Sequence, residues 1–315
     1  LVGVRVTGKT LIKGGGENSI IIEDSTIHEV VVARIDGKVR VFAKGTTSVD
    51  KMNVNSSAKV ETSGGTNALK NVFINESPTG QETVTFTGNV NNIMVTAQDV
   101  NVEIASGTVG KIEVADKADN STFSLAAGSK VTDMTINAPI QISGTGTVGT
   151  ATIAEKEKIT LAVNIDMVTL KEAGAKVEVS GTVAKLEVSS TAANATVTLA
   201  AGSKVTNLTL NAATTVSGTG TVDTATVNTN GSTIETAPTT TTVATGVTVV
   251  VGGESVTDTS TTTTTTSSDT SDTTAPTISS ATVASDNSYV DVTFSEGVYT
   301  NAGAGALTTG DFNIS

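Results

Sequence analysis

The sequence predicts an all-β chain whose larger part is a right-handed parallel β-helix, or β-solenoid, of about twelve coils. Three observations lead to this fold class: apolar strand patterns recur about every twenty residues, two segments repeat each other closely, and only 3% of the residues are aromatic. Because a short coil cannot bury its apolar face alone, neighbouring coils have to supply the core between them. A narrow coil also has little room for large aromatic side chains.

The longest repeat is an internal duplication. Residues 107–153 and 181–227 align without gaps at an offset of 74, and 29 of the 47 positions are identical. The two segments are therefore expected to build the same kind of coil twice.

A shorter block, apolar-x-x-apolar-x-apolar, predicts one strand of each coil. The blocks begin at Leu1, Ile27, Val49, Leu69, Val90, Val109, Val131, Val148, Ile165, Val183, Val205, Val222 and, weakly, Ala244. Between the blocks lie segments with period-two alternation, at Val39/Val41, Val84/Phe86, Val102/Ile104, Phe123/Leu125, Ile140/Ile142, Ile159/Leu161, Val177/Val179 and Val197/Leu199. Such alternation between turn residues indicates a second strand. The alternative fold is an antiparallel meander or sandwich.

The composition changes after the solenoid, which we place at residues 1–254. Residues 255–274 are a Thr/Ser-rich sequence that cannot bury enough apolar surface to fold, so they are predicted to be a linker, either O-glycosylated or unmodified. Residues 275–315 contain four of the eight aromatic residues. They predict the start of an Ig-like β-sandwich, which is incomplete because such a sandwich needs about 100 residues.

Charge and cysteine usage exclude several functions. The net charge is −12, and residues 205–315 carry ten acidic and no basic residues. An acidic chain with three arginines is a poor partner for nucleic acid. The chain has no cysteine, so it has neither disulfides nor a thiolate site. No apolar run approaches the ~18 residues of a membrane span, so no transmembrane segment is predicted in this fragment.

Two segments of the C-terminal part carry a resemblance to a known family. The segments are Asp272–Thr277, with the sequence DTTAPT, and Val292–Val298, with the sequence VTFSEGV. They resemble the Ig-like modules of bacterial surface-layer and cell-wall proteins, and the solenoid blocks resemble the β-helical region of secreted proteins with surface-layer homology anchors. The resemblance implies an extracellular or cell-surface location. It also implies self-association, or contacts with neighbouring surface proteins and cell-wall polymer.

The residue pattern offers no catalytic, cofactor-binding or metal-binding site. A glycosidase needs two carboxylates facing one sugar bond, whereas the acidic residues of the solenoid are scattered over several coils, at Glu103, Glu113, Asp116, Asp119, Asp133, Glu178 and Glu187. Glu113 and Glu187 each follow a lysine by two residues at equivalent positions of the duplication, which indicates a solvated Lys/Glu surface. His28 is the only histidine and is expected at the surface, and the glycines at 14–16 are expected to form a turn.

Aromatic and threonine residues are the remaining candidates for a binding surface. The solenoid contains Phe42, Phe73, Phe86 and Phe123, and Phe123 aligns with a valine in the duplicate, so it is expected in the core. A Thr-x-Thr ladder of the ice-binding kind is interrupted in most coils.

These observations predict a structural protein of the cell surface, as a component of a surface layer or of an extracellular lattice or filament, and not an enzyme. The alternative is an adhesin that binds a host, glycan or mineral surface. A polysaccharide-active enzyme is the third hypothesis.

Overall fold

The computed structural model of the chain describes residues 1–63 except 17 and 19, and residues 68–75, 82–258, 277–285 and 290–294. Two compact units are distinguished, Leu1–Thr264 and Thr265–Ser315. Within the described ranges every regular element is a β-strand. The first unit is a parallel β-solenoid of about 12 turns, so the predicted fold class is confirmed.

The strands of the first unit are β1 (Arg5–Ile12), β2 (Ile20–Glu23), β3 (Thr26–Val32), β4 (Val39–Lys44), β5 (Ser48–Val54), β6 (Ala58–Ser63), β7 (Leu69–Ile74), β8 (Thr83–Thr87), β9 (Val90–Val95), β10 (Asn101–Ser106), β11 (Thr108–Val114), β12 (Ser121–Leu125), β13 (Lys130–Ile136), β14 (Ile140–Ile153), β15 (Lys158–Leu170), β16 (Lys176–Val179), β17 (Thr182–Val188), β18 (Ala195–Leu199), β19 (Lys204–Leu210), β20 (Thr214–Gly218), β21 (Thr221–Val227), β22 (Ser232–Ile234), β23 (Thr240–Val243), β24 (Thr248–Val251) and β25 (Glu254–Thr257).

The strands form two columns of parallel pairs. The front column contains β1, β3, β5, β7, β9, β11, β13, the second halves of β14 and β15, β17, β19, β21 and β23. The back column contains β2, β4, β6, β8, β10, β12, the first halves of β14 and β15, β16, β18, β20, β22 and β24. The apolar-x-x-apolar-x-apolar blocks supply the front strands, and the alternating segments supply the back strands.

One apolar core lies between the two columns. In β11, Val109, Ile112 and Val114 are fully buried, and Ile112 stacks on Ile93 of the preceding coil and Met134 of the next. Apolar residues at alternate positions of the back strands face the core, and all the alternating pairs named from the sequence are at most 4% exposed. The period-two and block patterns therefore mark inward positions, as predicted.

The two ends of the block series differ from the prediction. Val6, not Leu1, pairs with Ile27. The register shifts between Val6 and Lys9, where β1 has one extra residue, and this extra residue breaks the apolar-x-x-apolar-x-apolar spacing. At the other end Thr241, not an apolar residue, pairs with Ala225, so the last block precedes Ala244. Because Val6 takes the block position opposite Ile27, Leu1 lies outside the core and is half-exposed.

The described turns satisfy their polar groups internally. The Ser129 hydroxyl donates to the Ala126 carbonyl at 2.7 Å, and the equivalent Ser203 hydroxyl donates to the Ala200 carbonyl at 2.7 Å. Among the described residues, no buried side-chain nitrogen or oxygen lacks a hydrogen-bond partner. The duplicated segments thus repeat their turn chemistry as well as their core.

The back column of the solenoid ends in an antiparallel strand. β25 pairs antiparallel with β24, and Val256 packs partly buried against the core. The hairpin therefore takes up the first residues of the segment predicted as linker, 255–274, most of which lies outside the described residues. In the second unit, β26 (Ile278–Val283) pairs antiparallel with β27 (Val290–Phe294). The rest of the predicted Ig-like sandwich also lies outside the described residues.

Candidate functional surface

From β5 to β21 each front strand presents two outward side chains that flank its central buried residue, and β23 presents Thr240 and Thr242 on either side of the partly exposed Thr241. Together these pairs form the surface that we call the front face. From β5 onward the pairs are Lys51/Asn53, Asn71/Phe73, Asn92/Met94, Lys111/Glu113, Asp133/Thr135, Thr150/Thr152, Met167/Thr169, Lys185/Glu187, Asn207/Thr209, Thr224/Thr226 and Thr240/Thr242. Parallel pairing places equivalent members one above the other. The face is therefore two ladders of side chains along the solenoid.

The Thr-x-Thr pairs adjoin each other only at the C-terminal end of this face. Thr224 pairs with Thr240, and Thr226 pairs with Thr242. The sequence did not predict these two pairs, because the last block was placed at Ala244, after the strand that contains Thr240 and Thr242. The ladder is broken earlier by the charged pair on β17. A regular threonine surface is thus limited to short stretches, as the sequence predicts.

The duplicated Lys/Glu pairs lie on the front face as solvated ion pairs. Lys111 Nζ lies 3.0 Å from Glu113 Oε2, and Lys185 Nζ lies 3.2 Å from Glu187 Oε2. All four side chains are at least 28% exposed. Exposed pairs of this kind contribute little to stability.

The remaining scattered carboxylates are held in local contacts. Glu103 accepts a hydrogen bond from Thr85 Oγ1 at 2.7 Å, and Glu178 pairs with Lys158 at 2.5 Å. The structure brings Asp116 and Asp119 into the turn after β11, and Asp133 onto the front face. Within the described ranges, no group of three or more His, Asp or Glu residues is placed to hold a metal ion.

His28 belongs to a small surface cluster with partners from the next two coils. Its Nδ1 atom lies 3.5 Å from Asp50 Oδ2, and Lys70 Nζ donates to Asp50 Oδ1 at 2.7 Å. The hydrogen bond from Lys70 lowers the pKa of the Asp50 carboxyl, with a smaller contribution from His28. With 63% of its side chain exposed, His28 lies at the surface as the sequence predicts.

Glu61 is a buried carboxylate that is held by two cations. Arg40 Nε donates to it at 2.6 Å, and Lys59 Nζ lies 2.6 Å from its other oxygen. Burial alone would raise the pKa of Glu61, but the bonds from Arg40 and Lys59 outweigh burial and lower it. The cluster ties β4 to β6 and leaves this carboxylate no free oxygen for chemistry.

The four phenylalanines of the solenoid divide into two classes. Phe86 and Phe123 are fully buried, which confirms the core position predicted for Phe123. Phe42 and Phe73 point outward and are half-buried. Each carries a cation over its ring, with Arg40 4.8 Å from the Phe42 centroid and Lys51 Nζ 5.1 Å from the Phe73 centroid.

A depression that sequence reasoning missed lies on the front face beside Phe73. Its volume is about 260 Å³, and it is bordered by outward side chains of β7, β9 and β11. The signal was available in the aligned blocks, because an aromatic residue, a methionine and two asparagines occupy outward positions of two successive coils.

Comparisons with known proteins add little to this picture. No family model matches the chain, and no curated protein matches it. A solved structure with similarity is that of chitinase ChiW from Paenibacillus sp. str. FPU-7, described as a bacterial cell-surface-expressed multi-modular enzyme machinery. The match has 24% identity and a TM-score of 0.28, and it covers 74% of this chain and 14% of that chain. At this TM-score the similarity carries no argument. Among the described residues no helix is long and apolar enough to cross a membrane.

Proposed function

We propose that this chain is a structural protein of the cell surface, a component of a surface layer or of an extracellular lattice or filament. The observation that carries the proposal is the continuous core of the solenoid. Each coil rests on its neighbours through fully buried Val, Ile and Leu residues, from Ile27 in β3 to Val227 in β21. With a strand spacing of ~4.8 Å, about 12 turns give this unit a length of roughly 60 Å. Such a unit suits a spacer that holds contact surfaces at fixed distances.

A non-enzymatic role is part of the proposal. Hydrolysis of a glycosidic bond requires two carboxylates on either side of one bond, one of which stays protonated. Glu61 has its charge stabilised by two cations, and Glu113 and Glu187 are each bound to a solvated lysine. The cations beside Glu61 favour its ionised form over that of a general acid. Glu113 on β11 and Glu187 on β17 lie four coils apart, so they cannot face one sugar bond.

The extracellular location is proposed from the resemblance of the C-terminal segments to Ig-like modules of surface-layer and cell-wall proteins. The partners proposed with it are further copies of the chain, neighbouring surface proteins and cell-wall polymer. The long outer faces of the solenoid would provide the lateral contacts that such an assembly requires.

Immunogold electron microscopy of intact producing cells, together with protease treatment of those cells, tests the proposal. We expect label at the cell surface, loss of the chain on protease treatment, and ordered sheets or filaments of the purified protein. A protected chain in the cytosolic fraction would refute the location. Release of reducing sugar from a polysaccharide panel by the purified chain would refute the non-enzymatic role.

A further inference from the structure

The depression on the front face has an apolar wall made by two successive coils. Phe73 of β7 and Met94 of β9 are paired in register, and both are half-buried. A methionine thioether beside an aromatic ring is a favourable contact. The two side chains therefore present a continuous apolar edge at outward positions, where most other front strands present polar groups.

A second side of the depression is formed by an asparagine ladder, and Val72 and Ile93 line the depression between this side and the apolar wall. Asn92 Nδ2 donates to Asn71 Oδ1 at 3.1 Å and to the Lys70 carbonyl at 3.2 Å, and Asn71 Nδ2 donates to the Asp50 carbonyl at 3.2 Å. These bonds fix both amide groups with their N–H donors turned into the ladder. The Asn92 Oδ1 atom accepts no hydrogen bond from the described chain and remains available as an acceptor.

The third side of the depression is the ion pair of β11. Lys111 is paired in register with Asn92, and Glu113 is paired with Met94. Their mutual bond of 3.0 Å uses only Glu113 Oε2 and one N–H of the ammonium group. One carboxylate oxygen and two N–H donors therefore stay open to a ligand.

We propose that this depression binds one neutral pyranose ring of a polysaccharide chain. The apolar C–H groups of the sugar would pack on Met94 and on the part of the Phe73 ring that Lys51 leaves uncovered. Its hydroxyls would donate to Asn92 Oδ1 and Glu113 and accept from Lys111. A sugar hydroxyl is both donor and acceptor, which matches this mixed set of groups. The two charges that border the depression, on Lys111 and Glu113, are opposite and equal, which favours a ligand without net charge.

The size and position of the site agree with a polymer ligand. A volume of about 260 Å³ is below the ~300–1,000 Å³ of pockets that enclose a drug-sized molecule, so the site takes a single ring and leaves the rest of the chain in solvent. Binding by one such site is weak, and many copies on one surface would gain from avidity. This binding activity goes beyond the structural role and does not depend on lattice formation.

A glycan array followed by calorimetry tests the proposal with the full chain. The probes are hexasaccharides of glucose, mannose and galactose in several linkages, together with uronic-acid hexasaccharides. The variant Glu113→Gln removes the charged acceptor, and Glu187→Gln is its matched control. Glu187 has an equivalent lysine partner, Lys185, but neighbours Thr169 instead of Met94. We expect a neutral hexasaccharide to bind, an affinity loss of about tenfold for Glu113→Gln, and no change for Glu187→Gln.

The apolar wall is tested in the same way by Phe73→Leu, with Phe42→Leu as its control, since Phe42 is the other outward phenylalanine under a cation. Only Phe73→Leu is expected to weaken binding. Unfolding midpoints of all four variants separate loss of the site from loss of the fold, and Glu113→Gln keeps the test valid if Phe73→Leu does not fold. Binding to no neutral hexasaccharide, binding to acidic sugars alone, or equal losses for Glu113→Gln and Glu187→Gln would overturn the inference and leave the surface location untouched.

Discussion

The substitution Gly218→Ala should unfold the solenoid at a much lower denaturant concentration than Gly202→Ala. Both glycines have positive φ, +98° and +81°, but their surroundings differ. A Cβ atom on Gly218 would lie 2.2 Å from the Leu199 carbonyl oxygen, whereas nothing lies within 4 Å of a Cβ on Gly202. The Leu199 carbonyl accepts hydrogen bonds from the Thr219 and Gly220 amides at 3.1 and 3.2 Å, so it cannot move away without breaking them.

The magnitude follows from these two contributions. A left-handed backbone costs a residue with a Cβ about 1–2 kcal/mol, and both variants bear this cost. Gly218→Ala also disturbs two hydrogen bonds, each of which contributes about 1 kcal/mol. We therefore expect a loss of about 1–2 kcal/mol for Gly202→Ala and of about 3–4 kcal/mol for Gly218→Ala.

Urea unfolding followed by circular dichroism measures the difference, and the duplication supplies a second matched pair. Gly144→Ala would place a Cβ 2.1 Å from the Leu125 carbonyl oxygen, and Gly128→Ala meets nothing within 4 Å. The same order of stability is expected in both pairs. Equal costs within a pair, or a larger cost at the open position, would show that contact between coils does not set the requirement for glycine.

Three further outcomes are expected. Leu186→Ala, at a fully buried position stacked between Val168 and Leu208, should cost about 2–5 kcal/mol in urea unfolding, whereas Lys185→Ala beside it should change stability by less than about 0.5 kcal/mol. The lowered pKa of Glu61 means that its stabilising contribution is present above the ordinary value of 4.5 and is lost as the pH falls through the folded-state pKa, so the difference in Tm between the wild-type chain and Glu61→Gln should shrink on acidification. Removal of residues 254–315 would leave the outer edge of β24 unpaired, and sedimentation should then show stronger concentration-dependent association than that of the full chain.

Most of the fold could be predicted from the sequence, because the spacing of apolar residues determines which positions of a solenoid face its core. Val109, Ile112 and Val114 recur as an equivalent triplet in successive coils, and all three are buried. The first block could not be phased, since the register shift between Val6 and Lys9 breaks its spacing. Leu1 matches the start of a block because apolar residues follow it at the required distances, although it does not take that position in the stack.

The candidate site was less accessible to sequence reasoning. The outward positions of Phe73 and Met94 follow from their blocks, but a depression exists only where long side chains of one ladder adjoin short ones of the other. That shape depends on which rotamers the ladder of asparagines holds and on the cation beside Phe73. Neither is encoded in the spacing of apolar residues, which reports on the inner face alone.

The duplication separates what a strand contributes from what its neighbours contribute. Lys111 and Glu113 recur as Lys185 and Glu187 with nearly the same geometry, so strand sequence determines the ion pair. The preceding coil differs, because Glu113 is paired with Met94 and Glu187 with Thr169. Two strands with the same outward pair thus lie in different surfaces, and only one of them borders an apolar wall. In a stacked fold, a site on an outer face is therefore formed by residues of neighbouring coils. A search for function in such chains has to align the outward residues of successive coils as well as compare repeats.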